Sequence, residues 1–424
     1  MIQSIASPSP KNLILITNHF PYGTGEAFLE NEIPYLIRSF DKVVILTRNV
    51  NASARPVTEL NFSHERIDPE SNFVEIVRTA GLSLFHFKAI ASFLRLEIRN
   101  LKSREGRVSS KKRSILLHDL FKAVALSFSI KQTIKMNKLT GTVIIYSFWL
   151  TSSALATLFV KPKNITIKRI SRAHRADLYD STQPAGYLSF RETLAQGLDG
   201  IFAVSAHGLQ HLKNSLAPKW HHKLHLSRLG TRKPESLPDP KPGLTLVSCS
   251  ALKPVKRVHL IIEALARVES LDITWIHFGY GDLQTDLEAL IVEKLSSKKN
   301  IHARIHGAIA NRELFQFYMH NYVDVFINTS SSEGLPVSIM EAQSFGIPAV
   351  AMDVGGVREI VSAETGRLLH PDDSPQQIAK AISELLSLPK EHRERLRKNV
   401  LNNWENHYNA EKNYPDFIRQ IQNY

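Results

Sequence analysis

From residue 244 to residue 386 the chain alternates short, mostly apolar runs with segments of helical length. That rhythm constrains the fold more than any other feature. The runs at 244–249, 273–278, 301–305, 323–328 and 348–352 are short and rich in Val, Ile and Phe. Between and after them, 258–268, 283–295, 313–320, 336–345 and 375–386 have helical length and spacing. Apolar strands alternating with helices predict a mostly parallel sheet covered on both faces, a doubly wound α/β domain.

The first half carries the same rhythm less regularly. Strands are expected at 13–17, 43–46, 143–146, 165–170 and 200–204. A helix is expected from Glu26 in GEAFLENEIPYLI, and two more over 81–137, split by the polar segment 102–112. The Pro-rich stretch 233–240 reads as a linker. The expected layout is a Rossmann-like domain over 1–235 and a second over 236–400, facing across a cleft. A terminal helix over 401–424, interrupted at Pro415, is expected to pack back on the first domain.

With 424 residues, 43% hydrophobic and 22% charged, the chain has material for two cores without staples. Its one cysteine, Cys249, excludes an intrachain disulfide and fits a reducing, cytoplasmic setting. No run approaches the ~18 apolar residues of a membrane span. The net charge of +13 is concentrated: residues 81–140 hold 13 Lys or Arg against three acids. Such a patch predicts surface docking, here on the anionic inner face of the cytoplasmic membrane. It would equally serve a nucleic-acid-binding protein, but no helix–turn–helix, zinc-finger or aromatic RNA-binding motif accompanies it.

The chemistry is expected in SSSEGLPVSIME, residues 330–341, where a strand hands over to a helix. Gly334 permits close backbone approach, and Pro336 suits the first helical position. The amides of Gly334, Leu335, Pro336 and Val337 mark the start of that helix (Pro336 without a donor), a ready anion site for a diphosphate. Glu333 would then meet hydroxyls of a sugar at one end of the diphosphate, and Glu341 the ribose at the other. Lys256, opening the helix after the run at 244–249, can neutralise charge on a leaving diphosphate. No Asp-x-Asp pair or His/Cys cluster at ligand spacing is present, so no metal and no cofactor are expected.

Over most of its length, and most strongly from about Leu244 to Pro371, the chain resembles the retaining glycosyltransferases of family 4, the group 1 glycosyl transferases, which have the GT-B fold. The resemblance rests on Glu333 and Glu341 at Glu-x7-Glu spacing, then Ala342, Gly346, Pro348, Gly355, Gly356, Glu359 and Ile360. It implies transfer of a sugar from a nucleoside diphosphate to a hydroxyl of a glycan or lipid-linked acceptor, with retention, as in the building of bacterial surface polysaccharide. It also implies that Glu333 orients the donor sugar near the reacting carbon. The family's cationic pair falls on Lys256 and Ala251, so Arg257 or Lys253 is left to supply the second charge. Arg172-Ala173-His174-Arg175-Ala176-Asp177 is similar to the Arg-x-His-x-x-Asp stretch of one branch of the family. It implies that His174 faces the donor sugar, with Asp177 on the acceptor side. The loop carrying Gly23, Thr24, Gly25 and Glu26 is similarly implied in acceptor binding, and the backbone at Gly307 in contact with the nucleobase. A GT-B-fold nucleotide-sugar epimerase is the competing expectation.

Overall fold

The structure, a computed structural model, describes residues 11–22, 26–48, 62–66, 72–183 and 185–424. The chain forms two compact units, one reaching to Ser227 and taking in Pro415–Tyr424, the other Arg228–Tyr414. The Pro-rich stretch therefore lies inside the second unit. Just before it, Thr231 pairs with Asn409, and Gly230 packs against Ala410 so closely that an added Cβ would stand 2.5 Å from the Ala410 Cα.

Among the described residues the first unit holds a seven-stranded sheet. Its strands are β1 (Lys11–Thr17), β2 (Lys42–Thr47), β3 (Phe62–Arg66), β4 (Thr142–Ser147), β5 (Thr166–Ala173), β6 (Gly200–Ala203) and β7 (Leu224–Leu226). The order is β3-β2-β1-β4-β5-β6-β7, and every pairing is parallel. The central strand β1 is buried at every position from Asn12 to Thr17, as a strand covered on both faces must be. Helices Asn72–Glu105 and Ser110–Met136 cover one face, with Leu101, Leu116 and Leu120 in the core. The other face is closed by helix Ile33–Ser39 and by Phe417, Ile418 and Ile421 of the terminal helix Ala410–Gln422.

The second unit holds a six-stranded sheet among the described residues. It is built from β8 (Leu244–Cys249), β9 (Ile273–Phe278), β10 (Ile301–Gly307), β11 (Val325–Asn328), β12 (Ala349–Met352) and β13 (Gly366–Leu369). Its order, β10-β9-β8-β11-β12-β13, is again wholly parallel and repeats the Rossmann pattern of three strands to either side of a central switch. Both sheets are thus doubly wound.

Several local expectations need correction. The helix placed at Glu26 is a 3-10 turn, Ala27–Asn31, followed by helix Ile33–Ser39, because Glu26 itself adopts a left-handed backbone. The break in the basic helical pair is only 106–109, since Ser109 caps the second helix through the Lys112 amide. Pro415 lies inside its helix, whose neighbours Tyr414, Phe417 and Ile418 are fully or nearly fully buried; packing outweighs the missing N–H. Pro336 is the N-cap of its helix, one residue ahead of the first turn. Among the described residues, no helix is long and apolar enough to cross a membrane.

Candidate functional site

A doubly wound sheet binds ligands beyond the carboxyl ends of its strands, where the strand order reverses. In the second unit that point lies between β8 and β11, and the segments leaving these two strands are laced together there. Ser331 donates its amide to the Val255 carbonyl (2.8 Å). Arg257, at φ +46°, donates to the carbonyls of Thr329 (2.9 Å), Pro371 (3.0 Å) and Ser330 (3.3 Å). The Thr329 hydroxyl bonds back to the carbonyls of Lys256 and Arg257. Arg257 therefore spends its guanidinium on building the loop.

This lacing brings together two side chains that stand 77 residues apart in sequence. Lys256 Nζ donates to Glu333 Oε1 at 2.5 Å, and Asn328 Nδ2 approaches the same oxygen at 3.4 Å. Glu333 is buried, while a quarter of the Lys256 side chain remains exposed. The exposed part is where an anionic ligand can compete for the ammonium.

The Gly355-Gly356 turn supports the same segment from behind. Gly356 donates its amide to the Gly334 carbonyl at 2.7 Å. Gly355 sits at φ +58°, and a Cβ there would lie 1.9 Å from the Glu333 carbonyl oxygen. Only glycine meets both conditions. Gly355→Ala is expected to displace the Glu333 backbone, lowering Tm and cutting any activity that depends on Glu333 by at least about tenfold. Equal activity and Tm in the variant would show that this contact does not position Glu333.

Beyond Leu335, which is buried, helix Val337–Ser344 begins with no side-chain cap from Pro336. Its first amides, Val337 and Ser338, have no carbonyl one turn back to bond, so the helix start offers donors and the positive end of its dipole. Further along, the buried Glu341 accepts from Asn311 Nδ2 at 2.5 Å. Asn311 opens helix Asn311–His320, four residues after Gly307, which ends β10 at φ +91° and receives the Gly279 amide on its carbonyl. Burial, with Glu341 adding to it, pushes the Cys249 thiol up to about 12, so it stays protonated. Asn311 was missed by sequence reasoning; its position at a helix start after a strand was the available signal. Ala251 and Lys253 are exposed on the loop after β8.

In the first unit the equivalent point lies between β1 and β4. Gly23, Thr24 and Gly25 fall outside the described residues. Glu26 folds its carboxylate back under its own loop, accepting from the amides of Asn18 (3.0 Å), His19 (2.7 Å) and Phe20 (2.8 Å) and from the Trp149 indole N–H. Its oxygens are thereby committed to shaping that loop. Asp177 is likewise buried, accepting from the amides of Leu150 (2.6 Å) and His174 (2.5 Å), while Arg191 donates to its carbonyl. Burial pushes its carboxyl up to about 7 against the pull of Arg191.

His174 follows β5 directly and is 7% exposed, its ring 4.6 Å from that of Phe148 and 4.7 Å from that of Trp149. Neither ring nitrogen has a hydrogen-bond partner among the described residues. Burial, reinforced by Arg172, lowers its pKa to about 3, so the imidazole is neutral at ordinary pH. The linkage has a definite sign: this contribution to stability is fully present above pH 6.5 and is lost as pH falls toward about 3. Asp177 acts oppositely, its contribution present below its unfolded value and lost as pH rises through about 7. His174→Phe, which keeps an aromatic ring in the cluster, is therefore expected to lose less Tm than the wild type between about pH 7 and about pH 5. Parallel Tm profiles would refute a neutral buried imidazole.

A cavity of about 460 Å³ opens beside the carboxyl end of β4, lined by Lys111, His118, Thr151, Ser152, Tyr187 and Arg191 among others. Its mixed cationic, hydroxyl and apolar walls suit a polar ligand with an apolar portion.

Residues 231–402 match the family described as Glycosyl transferases group 1. The chain is 30% identical over 129 residues to the sulfoquinovosyl transferase SQD2 of Arabidopsis thaliana, covering 30% of this chain and 23% of that protein. It is 24% identical over 150 residues to the amylovoran biosynthesis glycosyltransferase AmsK of Erwinia amylovora, covering 34% of this chain and 36% of that one. The chain thus spans between 23% and 36% of these curated relatives' own lengths. Over nearly its whole length it shares the fold of Anabaena Alr3699/HepE, solved in complex with UDP and glucose. That superposition has a TM-score of 0.66 at 15% identity and covers 97% of this chain and 99% of the other. Residues 231–402 are thus similar to the group 1 glycosyl transferases, and the two doubly wound sheets are those of the GT-B fold.

Proposed function

We propose that this protein is a retaining glycosyltransferase that moves a sugar from a nucleoside diphosphate to a hydroxyl of a glycan or lipid-linked acceptor in bacterial surface polysaccharide synthesis. The observation that carries the reading is the buried Glu333 paired with the partly exposed Lys256, at the uncapped start of helix Val337–Ser344. The two charges neutralise each other across their contact. A diphosphate at the helix start takes over the ammonium, together with the amides of Gly334, Leu335 and Val337. That exchange frees the Glu333 oxygens to accept from hydroxyls of the donor sugar. Glu341, held by Asn311, accepts from the ribose at the other end, and the backbone at Gly307 lies toward the base. Arg257 serves by fixing the loop.

In the reaction the acceptor oxygen bonds to the anomeric carbon as the bond to the phosphate oxygen breaks. Retention is assigned to attack from the leaving-group face, the departing phosphate oxygen receiving the acceptor's proton. Lys256 stabilises the charge that collects on the diphosphate, which is an interaction stronger in the transition state than before it. On the acceptor side, the loop shaped by Glu26, the Leu150 and His174 segments held by Asp177, and the cavity beside β4 are assigned to the sugar or lipid-linked acceptor. His174 takes part as a neutral hydrogen-bonding ring.

UDP is the first nucleotide to test, since HepE was solved with it. Thermal shift with UDP, GDP and ADP is expected to single out one, and turnover of its sugar is expected to need acceptor and to persist in EDTA. A nucleotide-sugar epimerase would convert donor without acceptor; neither the matched family nor the relatives support that reading. Stabilisation by none of the three nucleotides would remove the site from this function.

A further inference from the structure

The helices Asn72–Glu105 and Ser110–Met136 carry the excess charge of the chain, and the structure shows how it is arranged. Lys88, Ser92, Arg95, Arg99 and Lys102 are all exposed, at steps of four and three residues, so four cations line one outer face of the first helix. On the second helix Arg113, Leu117 and Phe121 follow one another at four-residue steps on the outside, with Met136 and Lys135 exposed at its far end. Of seven large hydrophobic residues exposed among the described residues, four stand on this pair: Phe87 (68%), Leu117 (47%), Phe121 (51%) and Met136 (70%). Leu101, Leu116 and Leu120 of the same two helices are packed in the core, so these side chains are not left over from a loose fit.

Acidic residues do not offset the patch. Glu97 is buried and bonded to the Tyr187 hydroxyl, Glu105 is paired with Lys112 at 2.5 Å, and Asp119 accepts from Ser189. An ordinary solvated helical face alternates both signs and exposes few large apolar groups. Cations flanked by exposed aromatic and aliphatic side chains instead match a lipid surface, where the ammonium and guanidinium groups meet phosphate headgroups and the apolar tips enter the acyl boundary.

We infer that this outer face of the helical pair is a docking surface for an anionic phospholipid bilayer, with Lys88, Arg95, Arg99 and Lys102 supplying attraction and Phe87, Leu117, Phe121 and Met136 the anchors. The inference concerns the first unit alone and stands whether or not the transfer reaction is as proposed.

The full chain is mixed with vesicles of phosphatidylcholine, with or without phosphatidylglycerol, and sedimented. Binding is expected only where phosphatidylglycerol is present, weakening as salt rises. Each neutralised cation at the surface is expected to weaken binding about fivefold, so the variant K88Q/R95Q/R99Q should lose on the order of a hundredfold. F87S/F121S should retain salt-sensitive association but lose the part that survives at high salt. Melting curves of both variants matching the wild type establish that the fold is intact. Equal binding to both kinds of vesicle, or a K88Q/R95Q/R99Q variant that binds like the wild type, would overturn the inference. Tighter binding to duplex DNA than to anionic vesicles at the same salt would overturn it in favour of a nucleic-acid surface.

Discussion

Glu333→Gln is expected to reduce sugar transfer by roughly a hundred- to a thousandfold while leaving the fold intact. The substitution keeps the shape of a side chain that is 8% exposed, but removes the charge that faces Lys256 at 2.5 Å. One lost charge has two consequences. The amide accepts more weakly from the sugar hydroxyls, so the donor is held less firmly in the reacting geometry. The Lys256 ammonium also loses its resting partner and should hold the diphosphate more tightly in the ground state. The variant should therefore show a lowered kcat with an unchanged or lowered KM for the donor, the pattern of an interaction made chiefly in the transition state. Lys256→Met should lower kcat as well and raise KM. Because the two side chains share one contact, the double variant should cost less than the sum of the singles. Strict additivity would mean that Lys256 and Glu333 act separately, and full activity in Glu333→Gln would end the assignment of Glu333 to the donor sugar.

The second large effect is on stability. Arg172 is wholly buried in the first unit, its Nε donating to the Tyr146 hydroxyl at 2.6 Å and its NH1 to the Ser227 carbonyl at 2.7 Å. It also lies 3.4 Å from the Glu32 carboxylate and 4.0 Å above the Phe417 ring, while the Tyr146 hydroxyl donates to Glu32. Burial raises the pKa of Glu32, and Arg172 is the chief opposing influence. Arg172→Met leaves that carboxylate without its counter-charge, and such a loss costs about 3–5 kcal/mol. Set against the roughly 5–15 kcal/mol that holds a domain folded, this is a large share. Urea denaturation should show the midpoint of the first unit moving sharply down, with the terminal segment Pro415–Tyr424 released first, since Phe417 loses the guanidinium above it. Arg172→Met combined with Glu32→Leu should recover part of the loss, because an apolar pair needs no desolvation. A single variant as stable as the wild type would show that the network contributes specificity without stability.

The sequence alone determined the class of fold and singled out the strand-to-helix segment 330–341 for the site proposed above. Parallel strands covered on both faces are apolar along most of their length, so β1, β2 and β12 were legible as uninterrupted runs. Short edge strands lack that signature, and β3, β7 and β13 were not seen for this reason. The motif from Glu333 to Ile360 was legible because its spacing is local, read along one strand, turn and helix.

What only the tertiary structure decided is how each polar group is spent. Glu26, Asp177 and Arg257, expected as ligand contacts, each bind backbone in the structure: the first shapes the loop after β1, the second holds Leu150 and His174, the third laces two loops. Nothing in a local pattern separates a carboxylate that meets a ligand from one that satisfies buried amides. That distinction depends on which donors the chain folds back within about 3 Å, and these range from the His174 amide, three residues from Asp177, to the Trp149 indole, 123 residues from Glu26. Lys256 meets Glu333, Asn311 meets Glu341 and Gly355 meets the Glu333 carbonyl for the same reason. Composition and periodicity specify which surface of an element is buried; the partner that a buried polar atom finds is settled only when the elements pack.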